Sequence, residues 1–74
     1  MEKETFIEKM ADILEIEEME GFGMDTVFRD LDEWSSLSGM EMITFFKQEM
    51  GKEVSVSDFK RQQTIGELYA LVCG

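Results

Sequence analysis

The sequence predicts an all-α bundle of three main helices plus one short extra helix, with a long loop between the first two main helices. Three observations predict it. Apolar residues recur at the 3.6-residue period near the N-terminus and again across residues 37–50. A Thr-Ile-Gly-Glu capping box at residues 64–67 opens a third periodic stretch. The alternating run at Val54 and Val56 is too short to read as a strand.

Each element follows from its residues. Phe6, Ile7, Met10, Ile13 and Leu14 share one face, with Glu4, Glu8, Asp12 and Glu15 opposite, which predicts a first helix over about residues 3–15. The next stretch, EIEEMEGFGMDTVFRDLDEW, is broken by Gly21 and Gly23. It also holds Phe22, Met24, Val27, Phe28 and Leu31, too many apolar side chains for a free linker. These predict a pinned loop with a short helical turn around residues 25–31. In the second helix, Gly39, Met42, Ile43, Phe46 and Met50 fall on the core arc. Met40 and Lys47 lie on its flank, and Glu41, Thr44 and Gln48 lie opposite with Leu37, which is therefore predicted to be exposed. Gly51 suits a left-handed helix stop. Ser57 or Asp58 is expected to cap a short turn holding Phe59. Ile65, Leu68, Tyr69 and Val72 form the stripe of the last helix.

Composition narrows the function. The 74 residues make a single domain, residues 1–74, small enough to need an efficient core. The single cysteine, Cys73, excludes an internal disulfide and fits a reducing compartment. The absence of histidine excludes a Cys/His zinc site and a His-based triad or acid–base pair. The acidic, amphipathic N-terminus is unlike a signal peptide, and no apolar run approaches the roughly 18 residues of a membrane span. These features predict a cytoplasmic monomer with no membrane insertion. The net charge of −10 argues against nucleic acid and favours basic protein partners. That charge is uneven: residues 1–33 hold 12 acids and three bases, whereas residues 34–74 hold five acids and four bases.

The segment DEWSSLSG, residues 32–39, carries the most information. Serine is a favoured N-cap, so capping alone accounts for Ser35 and Ser36 before the second helix. Ser38 and Glu41 also have the spacing of a capping box. No base is present to activate a serine nucleophile. A helix N-terminus does favour an anion, so a phosphate esterified to a serine there would be well placed. Trp34 reads as an anchor for the loop. Gly39, at a cost of about 1 kcal/mol relative to Ala, reads as a site of close packing or as room for a bound arm. Met40, Met42 and Met50 read as adaptable filler or as the lining of a cavity for a chain.

The stretch FRDLDEWSSLSGMEMITFFKQEMGKEV resembles the acyl carrier protein family. Phe28-Arg29-Asp30-Leu31 is similar to that family's Phe-x-x-Asp-Leu loop element, and Ser35-Ser36-Leu37 to its Asp-Ser-Leu core. Met40-Glu41-Met42-Ile43 is similar to the apolar-Glu-apolar-apolar run that follows. Glu49 to Val54 resembles the end of that helix, and Thr64 to Leu68 the start of the last one. The likeness covers nearly the whole chain. It implies 4′-phosphopantetheine attached to Ser36, with Ser35 a poor second. It implies coenzyme A as donor, a phosphopantetheinyl transferase using Mg²⁺, and a terminal thiol that carries acyl groups as thioesters. It also implies a non-catalytic carrier serving acyl-loading and acyl-processing enzymes of a fatty-acid, polyketide or other specialised pathway. Leu37, Met40 and Glu41 are the expected partner contacts.

Two departures qualify the likeness. Ser35 stands where the family has Asp, a contact point for the transferase. The acidity lies in the first helix and loop, not in the second helix, where residues 36–50 hold only Glu41 and Glu49 against Lys47. The first departure motivates an alternative, an unmodified carrier-like interaction module. A third reading, an acidic helical adaptor with a Met-rich groove, predicts that the second helix is not buried.

Overall fold

In the computed structural model, which describes residues 1–73, four helices follow in order. They are α1 (Lys3–Leu14), α2 (Ser36–Met50), α3 (Val56–Lys60) and α4 (Ile65–Cys73), with a 3-10 turn at Phe28–Asp30 between α1 and α2. The three longer helices, short α3 and long first loop are those the sequence predicts.

α1 places Phe6, Met10, Ala11 and Leu14 inside. It has no side-chain N-cap, and Glu4 in its first turn meets the positive end of the dipole. It stops through Glu15, which is left-handed at φ 59°. There the Glu15 N–H donates to Asp12 O at 3.1 Å and the Ile16 N–H to Ala11 O at 2.9 Å. These are the paired bonds of a Schellman stop, usually built on glycine. No glycine marks the place, so the periodicity overshoots by one residue.

α2 buries Met42 and Phe46 completely, with Ser38 and Gly39, while Ile43 and Met50 are half-buried at the edge of the arc. That burial contradicts the adaptor reading. Gly51 ends the helix at φ 65°, and the Lys52 N–H closes onto Phe46 O at 3.0 Å. α3 is capped by Ser55, whose Oγ accepts from the Asp58 N–H at 3.0 Å. This corrects the expected cap at Ser57 or Asp58: the helix begins at Val56, so the residue before it has the extended backbone a cap needs. α4 opens on the expected capping box. Thr64 Oγ1 accepts from the Glu67 N–H at 3.1 Å, and Glu67 Oε1 accepts from the N–H groups of Gln63 and Thr64.

The core joins all four helices and the loop: Phe6, Met10, Leu14, Phe28, Met42, Phe46, Val54, Phe59, Ile65, Leu68 and Val72. The loop is packed along its length. Phe28 is fully buried, and Phe22, Met24 and Leu31 lie half-buried against the core. Main-chain bonds stitch it to the start of α4: Phe28 N–H to Gln63 O at 3.2 Å, Ile65 N–H to Thr26 O at 3.1 Å, and Gly66 N–H to Met24 O at 2.8 Å. A Cβ at Gly66 would stand 3.0 Å from Met24 O, so this close main-chain approach favours glycine. No helix among the described residues is long and apolar enough to cross a membrane.

Candidate functional site

The two serines have different surroundings. Ser35 is the N-cap of α2, extended at φ −151° and ψ 166°. Its Oγ accepts from the Ser38 N–H at 3.2 Å and lies 3.2 Å from Ser38 Oγ. The Ser38–Glu41 capping box therefore does not form; Ser38 is inside the first turn and gives its own N–H to the cap. Ser36 is the first helical residue, is exposed, and has no side-chain hydrogen bond among the described residues. The 15-residue helix behind it directs its positive end to this point. The first N–H groups of any α-helix lack intrahelical partners, and the Ser35 cap satisfies only one of them. A free hydroxyl, neighbouring N–H donors and open space fit a phosphodiester at Ser36.

What precedes the helix is held by aromatic packing. Trp34 is half-buried, 5.2 Å from Phe28 and 6.1 Å from Phe59 between ring centroids. The Arg29 guanidinium lies 5.3 Å, 5.8 Å and 5.4 Å from the rings of Phe28, Trp34 and Phe59. It donates to Phe59 O at 2.6 Å through Nη2 and to Gln62 O at 3.2 Å through Nε. Arg29 thus ties the loop to the end of α3 with charge-assisted bonds and stacked rings. Sequence reasoning missed this clamp, because its partners are main-chain carbonyls that no side chain advertises. Gly39 belongs to the same cluster. A Cβ there would lie 2.9 Å from Trp34 Cη2 and 3.3 Å from Phe59 Cε2. Close packing, not room for an arm, accounts for this glycine.

The predicted contact residues come together on the other face of α2. Leu37 is 69% exposed and Met40 56%. With Glu41, they line an open groove completed by Ile13, Thr44, Phe45 and Gln48. Met42 is in the core instead, and Met50 lies apart from this groove. At its N-terminal end the groove adjoins a hollow lined by Asp12, Glu15, Glu33, Ser35 and Glu41. Asp12, Glu15 and Glu33 come from α1 and the loop, and only the uneven charge along the chain hints at this convergence. The lone ion pair among the described residues is elsewhere, Lys47 to Glu53 at 3.6 Å.

A family model described as "Phosphopantetheine attachment site" matches residues 4–72. No curated protein and no solved structure matches the chain.

Proposed function

This chain belongs to the phosphopantetheine attachment-site family, and from that premise we propose that it is an acyl carrier protein whose 4′-phosphopantetheine is esterified to Ser36. The family's domains bear this group covalently and serve as carriers, generally without catalysis of their own. The observation that carries the assignment to Ser36 is the contrast within the serine pair. Ser35 Oγ is committed to the helix cap, whereas Ser36 Oγ is free and exposed at the start of α2.

Loading forms a bond from Ser36 Oγ to the pantetheine-side phosphorus of coenzyme A and breaks the pyrophosphate bond. Adenosine 3′,5′-bisphosphate leaves, and the serine proton passes to a base of the transferase, since the chain holds no histidine. Once attached, the arm supplies a thiol that holds acyl groups as thioesters. The chain's own residues position it. The Ser35 cap fixes the first turn, the Arg29–Trp34–Phe59 cluster fixes the approach to it, and α2 presents N–H donors to the phosphate. Tethering raises the effective concentration of the cargo at each partner enzyme. The replacement of the family's Asp by Ser35 keeps the cap, because Ser and Asp cap about equally well, and removes one charge.

Incubation with coenzyme A and a broad-specificity phosphopantetheinyl transferase, read by intact mass, tests the assignment. Wild type and Ser35→Ala gain one phosphopantetheine; Ser36→Ala gains none. An unmodified wild-type chain would favour the interaction-module reading, and an unchanged gain in Ser36→Ala would move the site elsewhere.

A further inference from the structure

Between Leu31 and Ser38, Trp34 is the one side chain that is not exposed; Asp32, Glu33, Ser35, Ser36 and Leu37 all face solvent. Ser36 Oγ has no hydrogen bond among the described residues, so it takes its position from its backbone. That backbone is held by the Ser35 cap and by Trp34. The Trp34 N–H donates to Leu31 O at 3.1 Å. Its ring stacks on Phe59 with planes 20° apart and meets Phe28 edge-on. The outer edge of the ring fills the space beside Gly39, in the first turn of α2, where a Cβ would lie 2.9 Å from Cη2 and 3.5 Å from Cζ2. Arg29 completes the seat. It is half-buried, and although Asp30, Asp32 and Glu33 are its neighbours in the chain, it pairs with no carboxylate among the described residues. Its donors go instead to Phe59 O and Gln62 O, and its guanidinium lies 5.8 Å from the Trp34 ring. The main chain at the end of α3, Arg29, Trp34 and the first turn of α2 thus form one continuous brace.

We infer that Arg29 and Trp34 are positioning residues for the loading reaction: they fix where the Ser36 hydroxyl stands when the transferase presents coenzyme A, and they act on the rate of bond formation, not on recognition. The inference rests on Ser36 as the attachment residue. In the loading step Ser36 Oγ bonds to the pantetheine-side phosphorus, adenosine 3′,5′-bisphosphate leaves with the electrons of the pyrophosphate bond, and the serine proton passes to a base of the transferase. Displacement at phosphorus requires the attacking oxygen in line with the leaving one, so a small error in the direction of the hydroxyl costs rate. A residue in mid-helix is aimed by the turns on both sides of it. Ser36 is the first helical residue and has no turn behind it. Its aim depends on the segment before it, and the one side chain anchoring that segment is Trp34. Trp34 alone would be free to slide over Phe59. Arg29 removes that freedom, because its two carbonyl bonds hold the guanidinium against the ring.

Loading rates, read by intact mass with the broad-specificity transferase at saturating coenzyme A and varied carrier, give kcat and KM for each variant. Arg29→Gln should lower kcat about tenfold and leave the KM for the carrier within about twofold, because the rest of α2 is untouched. Trp34→Phe keeps an aromatic ring on Phe59 but loses the edge against Gly39, and should lower kcat roughly threefold. Arg29→Lys should fall between Arg29→Gln and wild type, since an ammonium meets one carbonyl and not both. Phe6→Leu, which loosens the packing of α1 away from the brace, should load at the wild-type kcat although it destabilises the fold. All are compared at a temperature where circular dichroism shows each one folded; if Arg29→Gln does not fold, Trp34→Phe and Arg29→Lys carry the test. The inference is overturned if Trp34→Phe and the Arg29 variants load at the wild-type kcat, if their loss lies in KM, or if Phe6→Leu loses kcat as they do. An unmodified wild-type chain, or modification that persists in Ser36→Ala, refutes the attachment site and the inference with it. Ser36-dependent loading at an unchanged kcat refutes the inference alone.

Discussion

Phe6, Phe46 and Tyr69 meet where α1, α2 and α4 cross, and Phe28, Trp34 and Phe59 meet where the loop and α3 reach the first turn of α2. In the first cluster Phe6 stacks on Phe46 with centroids 6.0 Å apart and planes within 7°, and Tyr69 meets Phe6 edge-on at 5.2 Å. Both phenylalanines are fully buried. The second cluster is built around a cation, Arg29, which also bonds two carbonyls. The difference follows from what each cluster must join. Continuous helices satisfy their own backbone, so apolar area suffices to hold them together. A loop leaves backbone groups to be paired elsewhere, so directional bonds are needed as well as burial. The segment leading to Ser36 is held in that second way.

The largest effect should come from the first cluster. Phe46→Ala should cost about 3–5 kcal/mol in chemical denaturation, comparable with the whole stability of a domain this small, and should loosen every helix together. Arg29→Gln should cost about 1.5–3 kcal/mol and act locally. Amide exchange should accelerate across residues 22–34 while α1 stays protected. Arg29→Lys should recover less than half of the loss, because one ammonium does not reproduce the fork that reaches both carbonyls. If Arg29→Gln instead loosened α1 as much as the loop, the two clusters would be one unit. Gly39→Ala sets a helix-propensity gain of about 1 kcal/mol against overpacking of about 1–3 kcal/mol. A net loss near ~1 kcal/mol is expected, with a change in the fluorescence of Trp34, the chain's single tryptophan. Unchanged emission would show that the ring moves aside freely. Ser35→Ala should cost about 1 kcal/mol and Ser35→Asp nearly nothing, as equivalent caps require. Ser35→Asp should also be loaded faster, and equal loading rates would show that the missing charge is immaterial.

The helices were legible because periodicity and capping are local. Phe6 to Leu14, Met42 to Phe46 and the Thr64–Glu67 box each state their structure within a few turns. Three features were not. The left-handed Glu15 carries no mark of its conformation in the sequence, since glycine is the usual signal. The cap of α3 falls at Ser55 and not at the expected Ser57 or Asp58, because all three are favoured caps and only the extended backbone at Ser55 decides. The gathering of Asp12, Glu15, Glu33 and Glu41 depends on how α1 and the loop lie against α2, which a charge count along the chain does not encode. At the site, the exposure of Leu37 was legible from the helical wheel. The division of labour within the serine pair needed the hydrogen bond from Ser38 to Ser35.

The stitch between the loop and α4 also sets an order of events in folding. Thr26 and Ile65 are about 40 residues apart in the chain, so closing that contact costs entropy that local helix formation does not. The helices can form first, and the loop can be fastened only once α4 has its opening turn. The seam is therefore expected to close late in folding and to open early on unfolding. Thr26→Ala leaves the main-chain bonds of the seam but removes the bond from the Gly23 N–H to Thr26 Oγ1 that shapes the loop side of it, and should speed unfolding while leaving the folding rate nearly unchanged.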